Sequence, residues 1–358
     1  MIGARPSAWE ERCGRCGRTF PLAAPVWRCD CGGLLDLVGP PPDRLLGDPG
    51  RWSLWRYAPT LPPIEGWEAV TLGEGMTPTV ALAPGVVAKL DYLNPTLSFK
   101  DRGAAVLVAA MAARGIERAV VDSSGNAGTA LAAYSARAGI AIEVWVPGGT
   151  SPHKTAAMRA HGADVRVADG DRTAAAGAAA ERVASTGAFY ASHVYQPLFV
   201  QGTKTVVLEL WEQLGGRLPD TIVLPAGNGT LVIGAGLALD DLLALGLIDE
   251  APRIVAVQAR RCAPLAGLVP TGPTVAEGIA IPAPPRAAAI RRVLDQRDGR
   301  VVTVTDEAIV AARRDLGLRG LWVEPTAAVT WAACRDGSVA ETGASVALIL
   351  CGAGLKSG

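Results

Sequence analysis

Short apolar runs rich in β-branched residues alternate along this chain with Ala-, Leu- and Arg-rich segments, and that alternation limits the folds open to it. The runs are Val86 to Leu90, Ala119 to Val121, Ile140 to Val146, Val165 to Val167, Thr221 to Leu224, Ile254 to Val257, Val301 to Val304 and Val346 to Leu350. They lack strict polar alternation, as expected of strands buried on both faces, and the segments between them are long enough for covering helices. Parallel α/β sheets follow. With 358 residues, 49% of them hydrophobic, the chain has apolar material for more than one domain. Thr173 to Val183 is low in complexity but reads as an ordinary surface helix.

Three joints between an apolar run and a helix carry chemistry. Lys100 lies in Leu93-Asn94-Pro95-Thr96-Leu97-Ser98-Phe99-Lys100-Asp101-Arg102-Gly103, just before an Ala-rich helix. A lysine that forms a Schiff base must be tied to a fixed backbone, and this position provides one. Asp122-Ser123-Ser124-Gly125-Asn126-Ala127-Gly128 opens a second Ala-rich helix. Free N–H groups and the helix dipole there suit a substrate carboxylate at Ser124, Gly125, Asn126 and Ala127, while the Asn126 amide can also meet a cofactor hydroxyl. Pro225-Ala226-Gly227-Asn228-Gly229-Thr230 is the third joint. Its side-chain-free positions let backbone amides close around a phosphate.

In this order the joints resemble the fold-type II pyridoxal-phosphate enzymes, and within them the threonine synthases. Gly73-Glu74-Gly75-Met76-Thr77-Pro78, Gly202-Thr203-Lys204-Thr205, Val323-Glu324-Pro325-Thr326 and Cys351-Gly352-Ala353-Gly354-Leu355-Lys356 look like further landmarks of that family, and together they span almost the whole chain. The resemblance implies two parallel-sheet α/β domains, tryptophan synthase β-like, with the cofactor in the interdomain cleft. Residues 86–199 would form the smaller domain, with Lys100 and the carboxylate loop. Residues 39–85 and 200–358 would form the larger one, with the phosphate loop, and closure on substrate would exclude water. It also implies that Lys100 holds pyridoxal 5'-phosphate, with Cys351 at its ring nitrogen and Glu277 in a loop crossing it; Glu277 reads equally as an exposed loop residue, and Phe99 either packs beside the cofactor or fills the core. A thiol is a weak partner, which favours elimination and replacement over transamination; Cys351 also reads as a buried apolar cysteine, and Thr or Ser is commoner at this place in the family.

The reaction implied is conversion of O-phospho-L-homoserine and water to L-threonine and phosphate. Thr77, Ser124, Ser151, Lys154 and Lys204 are the candidates for the substrate phosphate. Many family members carry an arginine before the Gly-x-Lys-Thr segment, where this chain reads Gln196-Pro197-Leu198-Phe199. A serine or threonine dehydratase, or a β-replacement enzyme acting on an activated serine, would use the same lysine and loops, and a non-catalytic protein could retain the fold.

Four of the seven cysteines, Cys13, Cys16, Cys29 and Cys31, have the paired spacing of a small zinc ribbon within residues 1–38; the alternative is a ribbon that packs without metal. Cys262, Cys334 and the cofactor candidate Cys351 stand apart. His153, His161 and His193 have no metal spacing and read as scattered surface or capping residues. Proline-rich stretches 39–43 and 59–63 read as extended surface connectors. The balance of 34 basic and 34 acidic residues argues against nucleic acid or an anionic membrane as partner. An N-terminus without an apolar core points to the cytoplasm, and the hydrophobic stretch 231–248, broken by Asp240 and Asp241, reads as a buried helix rather than a membrane span. By resemblance the protein would be a homodimer acting on a small amino acid.

Overall fold

The computed structural model describes residues 8–22, 24–339 and 343–356, apart from the side chains of residues 153 and 154. In chain order the strands and helices are β1 (Glu10–Cys13), β2 (Thr19–Pro21), β3 (Leu35–Val38), β4 (Thr79–Ala83), β5 (Val86–Lys89), α1 (Lys100–Ala113), β6 (Arg118–Asp122), α2 (Asn126–Ala138), β7 (Ala141–Val146), α3 (Pro152–Ala160), β8 (Asp164–Val167), α4 (Arg172–Thr186) and β9 (Phe189–Tyr190). There follow α5 (Pro197–Gln213), β10 (Thr221–Pro225), α6 (Thr230–Ala244), β11 (Arg253–Ala259), α7 (Ala287–Gln296), β12 (Arg300–Val304), α8 (Asp306–Leu318), α9 (Pro325–Arg335) and β13 (Val346–Ile349). Every apolar run singled out from the sequence is a strand. Among the described residues no helix is long and apolar enough to cross a membrane, and the stretch after Gly229 is the buried helix α6.

The chain divides into two compact units, one of residues up to Glu74 and from Lys100 to Gly202, the other of Gly75–Phe99 and residues from Thr203 on. In the first, β2, β1 and β3 form an antiparallel sheet around the cysteines, and β8, β7, β6 and β9 form a parallel one. Helix α1 is buried from Asp101 to Met111. It can be so deep because glycines remove side chains where backbones meet: a Cβ on Gly103 would stand 2.3 Å from the Phe199 ring, and one on Gly202 would stand 2.0 Å from the Arg102 carbonyl oxygen. The Glu74 carboxylate, fully buried, accepts from Trp55 Nε1 (2.8 Å), Tyr134 Oη (2.9 Å), Leu72 N (2.9 Å) and Thr71 Oγ1 (3.0 Å), which offsets the cost of burying its oxygens.

The second unit holds a six-stranded sheet, β12-β11-β10-β13-β5-β4, parallel except for β4. The predicted boundary at residue 86 is corrected here. β5 pairs with β13 in register Val86↔Val346 to Lys89↔Ile349, so this strand belongs with the second unit, and the chain changes unit at Phe99–Lys100. Residues 39–74 belong with the first. The stretch 59–63 is not a simple surface connector either, because Pro59 and Thr60 close a 3-10 helix and Leu61 is buried.

At the foot of β5, Lys89 and Glu209 form an ion pair with both side chains wholly buried. Glu209 also accepts from the Met76 N–H (2.7 Å), holding Met76 at a φ of 50°, and Lys89 donates to Gln213 Oε1 (2.7 Å). Removing one partner of such a pair strands the other charge. Glu209→Gln should therefore lower unfolding stability by about 3–5 kcal/mol in a urea titration; an unchanged midpoint would show the pair to be idle.

Candidate active site

In the first unit, Lys100 is the first residue of α1, and its amine stands over the Phe199 ring, 5.7 Å from the centroid, at cation–π range. Phe199 thus supplies an aromatic floor for the lysine. Phe199 is fully buried, and Gly103 leaves the room for its ring. His193 meets the same ring edge-on (5.8 Å, 64°). It is buried, not a surface histidine, and burial, followed by the charges of Lys100 and Arg172, holds its imidazole well below the ordinary value. His161 occupies the C-cap of α3.

The loop Ser123 to Gly125 leads from β6 into α2, whose first residue is Asn126. No side chain caps that helix end, so its backbone amides and dipole face whatever anion the loop receives. Gly128 has to be glycine: a Cβ would lie 2.2 Å from the Ser123 carbonyl oxygen. Ser124 is half-buried and Ala127 buried. Ser151 is the exposed N-cap residue of α3, and Lys154 follows in that helix with its side chain outside the described residues.

In the second unit, Gly227-Asn228-Gly229 turns from β10 into α6, which begins at Thr230. A Cβ on Gly227 would stand 2.9 Å from Ile279 Cα, and one on Gly229, at φ 84°, 2.3 Å from Ile290 Cδ1. Gly227 thus lies against main chain and Gly229 against the Ile290 side chain, leaving a tight turn, a cradle with little side chain of its own, the form in which backbone amides can close on a phosphate. Exposed Glu277 opens the short 3-10 helix Glu277–Ile279 that touches this cradle, and the neighbouring Gly278 N–H donates to Thr326 Oγ1 (3.1 Å). Cys351 is buried just past β13, and its thiol points to Glu324 Oε1 (3.9 Å). Phe99, also buried, donates its N–H to the Cys351 carbonyl (2.9 Å), beside an antiparallel bridge between Ser98 and Gly352.

Two sequence candidates are withdrawn. The Thr77 hydroxyl is buried and donates to Asp91 Oδ1 (2.9 Å), so it belongs to the internal network of Glu209. The Lys204 amine, also buried, is paired with Asp241 Oδ2 (2.8 Å). The Gly202-Thr203-Lys204 landmark is a packing device: Gly202 meets α1, Thr203 Oγ1 donates to the Thr230 carbonyl (2.8 Å) and Lys204 anchors α6 through Asp241. Glu324, Phe199, His193 and Arg172 went unassigned from sequence. For Glu324 a signal existed, since it sits in a family landmark; the others are set by tertiary proximity alone.

The four N-terminal thiols converge. Their Sγ atoms all lie within 4.8 Å of one another, with Cys13 and Cys31 at 3.5 Å and Cys16 and Cys29 at 3.6 Å. Sulfurs bound tetrahedrally at about 2.3 Å from a zinc ion would be roughly 3.8 Å apart, so the set fits that metal. Backbone N–H groups of Cys16 and Arg15 pull the Cys13 thiol down to about 6, while against a bond from the Gly33 N–H the neighbouring thiols push Cys31 up to about 12, so a metal would have to displace that proton.

The sequence matches the family described as pyridoxal-phosphate dependent enzyme over residues 70–352. It is 32% identical over 351 residues to a threonine synthase of Methanosarcina acetivorans, covering 90% of this chain and 85% of that one. With a threonine synthase of Mycobacterium leprae it shares 34% over 315 residues, 84% of this chain and 87% of the relative. The crystal structure of a threonine deaminase from T.th. aligns with a TM-score of 0.66 and 26% identity, covering 77% of this chain and 92% of that one.

Substitution at the cradle is a direct test of the fit. Gly229→Ala should weaken pyridoxal-phosphate binding about tenfold or more in an absorbance titration, because the new methyl displaces the turn. Gly246→Ala, at φ 64° with open space around it, should leave that affinity unchanged. Equal affinities for Gly229→Ala and the parent would remove the phosphate role from this loop.

Proposed function

The chain belongs to the pyridoxal-phosphate-dependent enzyme family, and from that premise we propose that it is a lyase of the threonine synthase type, converting O-phospho-L-homoserine and water to L-threonine and phosphate. The observation that carries the reading is the 32% identity to a threonine synthase over 90% of the chain. Bound pyridoxal phosphate supplies the electron sink for carbanion chemistry at the substrate α-carbon. Lys100 is the residue to bond the cofactor aldehyde and, once freed, to move protons at the substrate α-carbon and beyond. The Phe199 face lies beneath the amine of this half-buried lysine, and buried His193 packs against the edge of that ring. Amides of residues 124–127 bind the substrate carboxylate, and amides of Gly227 to Thr230 bind the cofactor phosphate.

Cys351 takes the ring nitrogen. Its buried thiol lies beside the Glu324 carboxylate, which can accept the thiol proton and leave sulfur lone pairs for the ring. For the substrate phosphate, Ser124, Ser151 and Lys154 stand as candidates after Thr77 and Lys204 are withdrawn. We assign zinc to the four N-terminal cysteines as a structural ion, since four protein ligands leave no open position for catalysis. The likeness to threonine deaminase keeps dehydration of serine or threonine as the second reading.

Incubating cofactor-loaded protein with O-phospho-L-homoserine, and following phosphate and organic product by NMR, tests the assignment. Threonine and phosphate should appear in equal amounts; keto acid formed from added serine or threonine, without phosphate release, would transfer the assignment to a dehydratase. Lys100→Ala should remain folded by circular dichroism but lose both the visible absorbance of lysine-linked cofactor and turnover, and sustained multiple turnover in that variant would overturn the role of Lys100. The ribbon should retain about one zinc per chain through gel filtration and lose it in Cys16→Ser. Metal-free parent protein with unchanged thermal stability would point to the ribbon that packs without metal.

A further inference from the structure

Trp27 lies two residues before Cys29, yet its indole packs away from the thiols, against the wall of the parallel sheet. It meets Tyr190 edge-on, with ring centroids 4.8 Å apart and planes at 83°, and Tyr195 likewise at 5.2 Å and 85°. The two tyrosines lie 5.9 Å from each other. Tyr190 belongs to β9, where it pairs with Val120 of β6. The two-residue period of a strand puts Asp122 on the same face as Val120, and the Tyr190 phenol donates to Asp122 Oδ1 at 2.7 Å. Asp122 is the last residue of β6, so the next residue begins the loop of Ser123 to Gly125. At its far end that loop is locked by the fit of the Ser123 carbonyl against Gly128. At its near end it is held through Asp122.

Asp122 joins β6 to the loop, and its partly buried carboxylate needs a donor to hold it in one orientation. Tyr190 is that donor, and Trp27 with Tyr195 fixes the Tyr190 ring by edge contacts.

We infer that Trp27 and Tyr190 are positioning residues for substrate binding: the cysteine ribbon, through Trp27, holds Tyr190 against Asp122 and so sets the loop of residues 123–127. The inference rests on the reading of that loop as the substrate-carboxylate site. It gives the N-terminal ribbon a part in substrate affinity beyond its own stability.

The test uses the cofactor-loaded full chain and the variants Trp27→Ala, Trp27→Phe and Tyr190→Phe, with two readouts. In steady-state kinetics on O-phospho-L-homoserine, Trp27→Ala and Tyr190→Phe should raise KM about fivefold or more with kcat within about twofold, the signature of lost ground-state binding. Visible cofactor absorbance should not change. In hydrogen exchange, amides of residues 123–128 should exchange faster in both variants, with the 8–22 peptide unaffected, and Trp27→Phe should restore both KM and protection because it retains an edge contact. Parent-like protection of 123–128 in Trp27→Ala and Tyr190→Phe overturns the inference, as does a loss confined to kcat. If the parent fails to turn over this substrate, the threonine synthase reading falls, while hydrogen exchange still decides whether the ribbon holds the loop.

Discussion

The backbone-to-backbone approach around α1 is the constraint on which the lysine site depends. Gly202 brings the carbonyl of Arg102 within a distance no side chain tolerates, and Gly103 admits the Phe199 ring. With both contacts made, α1 is buried along almost its full length and cannot slide or rotate without opening a void. Lys100, as its first residue, inherits that rigidity. A reactive amine needs a fixed origin more than it needs neighbours, because a misplacement of about 1 Å costs catalysis heavily.

Polar landmarks in this chain divide by what their polar atoms do. Glu74, Lys89, Glu209 and Lys204 are as deeply buried as any apolar core residue, and each is occupied by internal partners. An uncompensated charge at such depth is costly, so their pairing sets loop conformations: Glu209 holds Met76, and Asn94 joins the turn before Ser98 to Gly75 by accepting its N–H at 2.9 Å. The loops after β6 and β10 differ in that glycine, which has no side chain, stands at the N-cap of the helix each leads into.

Cys351 and Glu324 show how closely the turn after β13 is packed: the buried thiol points to the Glu324 carboxylate at 3.9 Å. The packing is tight enough that a Cβ on Gly352 would stand 2.3 Å from the Glu324 carboxyl. That contact explains the glycine after the cysteine without any appeal to backbone conformation.

By itself the sequence determined the parallel α/β architecture, the glycine-bearing turns from strand to helix and the convergence of four thiols. These depend on local rules: apolar runs, glycines at strand-to-helix turns and cysteine spacing are set within a few residues of one another. Tertiary structure decided which unit β5 joins, because strand pairing with β13 links residues more than two hundred positions apart. It also decided that Lys204 and Thr77 face inward and that Phe199 lies under Lys100. A lysine in an amphipathic pattern reads the same whether its amine meets a substrate or an aspartate; only the packing that places Asp241 within 2.8 Å of it distinguishes the two, since burial makes that pairing obligatory.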